Sequence, residues 1–197
     1  MEVFVHTYIK LFFMLTPFFV ITIFLALTHD CEERRKKKIA LKVTGAVIVI
    51  AFSLYFCGRP MFSLFGITLD AFRIGAGALL FLSALSLVQG NAAGQNSSEG
   101  GDISVVPLAL PVTVGPATTG ALLIMGAETS GTTDRLWASG AILASILTIG
   151  ALLYTAGAVE RCLGQARLVI LSKLTGLILS SIAAQMIFTG IRNLLKA

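Results

Sequence analysis

Five prolines punctuate the chain, and four of them fall inside long apolar stretches: Pro17, Pro107, Pro111 and Pro116. A proline within a helix removes a backbone donor and clashes with the carbonyl four residues earlier, at a cost of about 3 kcal/mol. Three prolines in ten residues, with Gly115 beside the last, make an unbroken helix improbable through PLALPVTVGPATTG. Thr113, Gly115, Pro116, Thr118, Thr119 and Gly120 surround that break, and Thr16 and Thr22 flank Pro17 in the same manner. A half-helix beginning after Pro116 would turn free N–H groups and a positive dipole end toward a carboxylate. Unwound carbonyls and threonine hydroxyls would receive an ammonium group or a small cation. With Gln185, an amide inside the last apolar stretch, these residues form a candidate binding set for a small zwitterion. Threonines in helices commonly bond to their own backbone, and one proline kink is often shape alone. The weight therefore rests on the cluster from Pro111 to Gly120 and its pairing with Thr16-Pro17.

Other chemistries find little support. No carboxylate lies deep in an apolar stretch: Asp70, Glu128, Asp134 and Glu160 stand near their ends, which disfavours a buried carboxylate relay. Two histidines and three unclustered cysteines make neither a metal site nor a disulfide framework. No nucleophile–base pair, Gly-x-Ser-x-Gly or phosphate-loop pattern occurs, so neither an enzyme nor a cofactor is expected.

The elements that must hold these residues follow from composition. The 197 residues are 56% hydrophobic and 13% charged, with a mean hydropathy of +0.89. Soluble domains carry about 25% charged residues, and folding hides only about 70% of the surface the chain exposes. A soluble globule is excluded. Glu2 replaces the basic start of a secretory signal, so the first apolar stretch is expected to remain as a span. At about 20 residues per crossing, six spans are expected: Leu11–Thr28 with an extension toward Phe4, Val43–Gly58, Ile74–Val88, Ile103–Ala127, Leu136–Val159 and Leu174–Ile191. All are too long for barrel strands.

Basic residues set the orientation. Arg34 to Lys38, Lys42, Arg161, Arg167 and Lys173 would face one side, and Lys10, Arg59, Arg73, Arg135, Arg192 and Lys196 the other. The unbroken run favours the first side as cytoplasmic, with both termini outside. The same run reads as a topology signal that also suits anionic lipid, and not as a nucleic-acid surface. Arg73 and Lys173 are expected to snorkel to head groups, and Pro60 to lie in a loop. Residues 89–102, rich in Gly, Ser and Asn, read as a flexible linker between 1–88 and 103–197. Thr16-Pro17 precedes Gly115-Pro116 by 99 residues and Arg73-Ile74 precedes Lys173-Leu174 by 100, which points to a duplication. With three spans each, the copies would be inverted, as in many secondary transporters.

The stretches VVPLALPVTVGPATT (Val105–Thr119) and FGITLDAFRIGAGALLF (Phe65–Phe81), with Gly176-Leu177-Ile178-Leu179, Ala184-Gln185-Met186 and Gly190-Ile191, resemble the MarC family of six-span inner-membrane proteins. The resemblance covers nearly the whole chain. It implies an all-α integral membrane protein of two inverted three-helix repeats, with helices broken in spans one and four. It also implies a secondary transporter of small neutral amino acids working by alternating access, with an export direction. Na+ or H+ coupling and a homo-oligomer are compatible with that implication. The family's first span usually reads Asp or Asn, then Pro-x-Gly-x-x-Pro. Here Thr16-Pro17-Phe18-Phe19-Val20-Ile21-Thr22 keeps only the first proline, and Gly115-Pro116-Ala117 stands where the family has Gly-Pro-Gly. A degenerate relative of this kind motivates an alternative, a non-transporting membrane scaffold; a lipid scramblase is a third.

Overall fold

A computed structural model describes residues 2–29, 31–90, 114–129 and 131–196. These residues form helices and no strands. In chain order they are α1 (Glu2–Met14), α2 (Pro17–Leu27), α3 (Glu33–Phe65), α4 (Leu69–Gln89), α5 (Pro116–Glu128), α6 (Thr132–Tyr154), α7 (Ala156–Leu163) and α8 (Gln165–Leu194).

Among the described residues, five stretches are long and apolar enough to cross a bilayer. They are Phe4–Leu27, which joins α1 and α2, Glu33–Gly58, Leu69–Gln89, Thr132–Tyr154 and Gln165–Leu194. The expected fourth span, 103–127, lies partly outside the described residues. Its described portion, α5, has 13 residues. At 1.5 Å per residue it reaches about 20 Å, short of the roughly 30 Å hydrocarbon core. The linker beyond Gly90, and the six-span, two-repeat organisation that depends on residues 91–113, likewise fall outside the described residues.

Two expectations about boundaries are corrected. Pro60 lies within α3 and not in a loop. The basic run Arg34–Lys38 is helical, occupying the first turns of α3, with Lys37 Nζ 5.1 Å from the centre of the Tyr154 ring. A 33-residue helix is longer than the hydrocarbon core is thick, so its charged first turns can continue the helix into the head-group region.

Small residues set the packing, as expected where lipid removes the hydrophobic drive between helices. Helix α8 runs back along α4: Gly190 lies on the Asp70 carbonyl at one end, and Gly176 on the Ala84 carbonyl at the other. A Cβ at these glycines would come within 2.7 and 2.9 Å of those oxygens. Gly126 of α5 sits directly on the Tyr55 carbonyl of α3, and Gly58 of α3 on the Leu123 carbonyl of α5. Leu41, Val49, Phe56, Leu82, Leu147, Leu177 and Phe188 point outward, an apolar surface suited to lipid.

Two apolar clusters fill the interior. One gathers Leu11, Leu15, Ile21 and Phe24 with Val43, Val47, Ile142 and Ile146. The other gathers Met14 with Ala76, Leu80, Ala121, Ile124, Leu179 and Ala183. Met14 and Leu15 are neighbours in sequence but belong to different clusters. The chain passes between the two where its helix breaks.

Candidate functional site

The break in the first span is a left-handed turn at Thr16 (φ 47°, ψ 58°). A β-branched residue seldom adopts that conformation, which costs an L-residue about 1–2 kcal/mol. Pro17, buried, then opens α2, where its missing N–H costs nothing. The Thr16 N–H donates to the Phe13 carbonyl (3.0 Å), and its own carbonyl accepts from the Val20 N–H (3.0 Å), so the break is tight and hydrogen-bonded on both sides.

Helix α5 starts in a matching way. Gly115 is the extended N-cap of α5, Pro116 its first residue, and the Gly115 carbonyl accepts from the Thr119 N–H at 2.9 Å. The break and the start of α5 meet through Thr118, which is buried and donates its hydroxyl to the Met14 carbonyl at 3.2 Å. The positive end of α5 therefore faces the negative end of α1.

Beside this junction lies a cleft of about 150 Å³ between α1, α4, α5 and α8, lined by Lys10, Arg73, Glu128, Gln185 and Thr189 among apolar neighbours. Lys10 is four residues before Met14, and Ala121, also in the wall, is three residues after Thr118. Those spacings put the cleft and the Met14–Thr118 bond on the same faces of α1 and α5. Arg73, 9% exposed, pairs with Asp70 Oδ1 (2.6 Å) one turn back on α4 and also with Glu128 Oε1 at the end of α5. Asn193 of α8 donates to the same Asp70 oxygen at 3.0 Å. The Arg73 guanidinium thus ties α4 to α5, and the Asp70 carboxylate ties α4 to α8, beside the cleft.

The residues singled out from sequence fall into groups. Thr16, Pro17, Gly115, Pro116 and Thr118 form the junction of the two breaks. Gln185 lines the cleft. Thr119 is half-buried in the first turn of α5. Thr22 is occupied elsewhere, its hydroxyl donating to the Phe18 carbonyl at 2.9 Å. Gly120 packs on Ala76, where a Cβ would come within 2.6 Å of the alanine's own, and it lines a separate, mostly apolar groove with Phe72, Gly75 and Leu79 of α4. Thr113, with Pro107 and Pro111, lies outside the described residues.

Arg73 requires a correction, because it is buried in a two-carboxylate ion pair and does not snorkel. Its apparent repeat mate Lys173 is exposed. Sequence reasoning also passed over Lys10, Glu128 and Thr189. For Lys10 a signal existed: it is an ionisable residue inside an apolar helix, the ordinary mark of a membrane pathway. Counting it with the loop charges gives it a role in orientation alone. The Asp70/Arg73 spacing of three likewise allowed a helical ion pair.

Comparison with known proteins adds the lineage. A family model described as "MarC family integral membrane protein" matches residues 1–195. The chain is similar to a UPF0056 membrane protein of Methanocaldococcus jannaschii, 32% identical over 204 residues that take in 99% of this chain and 98% of that protein. It is also similar to the UPF0056 membrane protein YhcE of Escherichia coli, at 28% identity with 95% and 91% covered. YvbG of Bacillus subtilis, another UPF0056 membrane protein, is 29% identical with 96% and 94% covered. No solved structure matches the chain.

Proposed function

The chain belongs to the MarC family of integral membrane proteins, and from that premise we propose that it is a secondary transporter moving small neutral amino acids outward across the inner membrane. In this reading the two breaks are the moving parts of an alternating-access carrier built from two inverted three-helix repeats. Both termini face outside, and the solute binds beside the junction of α1 and α5. One observation carries the proposal: the interruption of the first span and the proline-led start of α5 meet through Thr118 and Met14 next to a polar cleft. Irregular backbone persists at membrane depth only inside protein or beside a wet cavity, and this junction is buried in protein with a polar-lined cleft beside it. A scaffold without transport would have no use for a cleft that keeps an ammonium and a guanidinium within the bundle.

Reconstitution into proteoliposomes tests the reading. Labelled glycine, alanine or serine should cross faster than through protein-free vesicles, and imposed Na+ or proton gradients would identify any coupling ion. Absence of flux for all three amino acids with folded protein would overturn the substrate class.

A further inference from the structure

We propose that the cleft between α1, α4, α5 and α8 is a zwitterion site in which Lys10 Nζ seats a carboxylate and the second oxygen of Glu128 accepts from an ammonium group. The proposal rests on the carrier reading for the identity of the solute, but the binding chemistry is argued from the cleft itself.

Charge provides the first reason. Lys10 lies about six residues inside the Phe4–Leu27 span, where an ionisable side chain is rare and marks a functional position. Among the described residues Lys10 makes no hydrogen bond or ion pair. Its neighbour Arg73 holds both nearby carboxylates. The ammonium therefore lines the cleft as a donor of three hydrogen bonds with no anion assigned to it.

Glu128 provides the complement. Arg73 takes Oε1, and a carboxylate has about four acceptor positions over its two oxygens. Oε2 is not used by that pair, and the residue lines the cleft. An anion alone would answer Lys10 but meet Glu128, and a cation alone would do the reverse. A molecule carrying both charges satisfies both walls.

Size and lining narrow the class. A cavity of about 150 Å³ accepts a benzene-sized guest, which matches the six heavy atoms of alanine. Gln185 and Thr189, one turn apart on α8, can hydrogen-bond the bound groups, while Ala121, Ile182 and Met186 offer an apolar wall to a short side chain. Among the described residues no further charged side chain lines the cleft, so a charged side chain on the solute would go unanswered. The junction itself is a poorer carboxylate site, because there the positive end of α5 already faces the α1 carbonyl terminus.

The test is equilibrium binding to the full-length protein in detergent, with L-alanine, propionate (carboxylate only) and alaninamide (ammonium only) as probes. Wild-type protein should bind alanine at least tenfold more tightly than either analogue. Lys10→Gln should abolish the preference for alanine over alaninamide, and Lys10→Arg should restore most of it. Among the described residues Lys10 has no hydrogen bond or ion pair to lose, so loss of binding in Lys10→Gln with an unfolding temperature near wild type reports on the site. Equal alanine affinity in wild type and Lys10→Gln would overturn the assignment, as would tight alaninamide binding or no binding of any probe. The two readings separate cleanly. Alanine flux undiminished in Lys10→Gln removes this site and keeps the carrier. Lys10-dependent binding without flux keeps the site and removes the carrier.

Discussion

Thr118 and Met14 stand 104 residues apart in sequence and share one hydrogen bond, the threonine hydroxyl donating to the methionine carbonyl at 3.2 Å. In an unbroken helix that carbonyl would accept from the N–H of Phe18. The left-handed turn at Thr16 takes that donor away, and a buried carbonyl without a partner is costly. Helix α5 supplies the replacement from its first turn. The interruption of one helix is thus stabilised by the beginning of another.

Thr118→Val removes the donor and keeps the shape. It should lower stability by about 1–3 kcal/mol, the cost of an unsatisfied buried acceptor, and should reduce amino acid flux. Thr118→Ser should preserve both. Thermal unfolding in detergent and vesicle flux read the two effects separately. Thr119→Val, at a half-buried position, should reduce flux with little change in unfolding temperature; unchanged transport would take Thr119 out of the pathway.

The strain at Thr16 can be relieved without moving the chain. Thr16→Gly suits a positive φ and should raise stability by up to about 1 kcal/mol, the steric gain being offset in part by the greater freedom of unfolded glycine. A loss of stability would show that the threonine side chain contributes more than its backbone strain costs. Flux measured on the same variant would show whether the stiffness of this turn matters to transport.

Arg73→Gln leaves Asp70 and Glu128 without their shared cation. Full burial would make this cost about 3–5 kcal/mol, but the carboxylate side chains are 29% and 46% exposed. Solvent reduces the expected loss to about 1–2 kcal/mol. Arg73→Lys should recover only part of it, since an ammonium lacks the planar fork that reaches two carboxylates. Thermal unfolding of both variants, with Glu128→Gln closing a double-mutant cycle, measures the coupling.

Gly126→Ala should be among the most damaging single-methyl changes in the molecule. The new Cβ would run into the Tyr55 backbone carbonyl, which cannot rotate away, and α5 must lift from α3. A loss of at least about 2 kcal/mol is expected. Gly45→Ala is the control, because nothing lies within 4 Å of a Cβ there. It should be neutral or slightly stabilising through helix propensity. Yield of monodisperse protein and unfolding temperature would separate the two.

Much of the fold was legible because its causes are local. Apolar stretches of spanning length announce membrane helices whatever they pack against. Pro17 and Pro116 each begin a helix, as the missing N–H of proline favours. Pro60, by contrast, lies within α3, so a proline near a charged residue is no sure sign of a loop. The candidate site was only half visible. The threonines and glycines at the breaks could be named, yet Thr22 bonds to its own helix and Gly120 packs on Ala76 at the edge of a different groove.

Composition and covalent chemistry by themselves determined that this chain dissolves in lipid as helices, and that proline interrupts the first of them after Thr16. Tertiary structure alone decided which interrupted end meets which, that Arg73 turns inward to two carboxylates, and that Lys10 lines a cleft with Glu128 and Gln185. The reason is physical. Hydropathy and proline act on a residue's own backbone and solvent, whereas the direction a charged side chain faces depends on how close glycines such as Gly126, Gly176 and Gly190 let neighbouring helices approach.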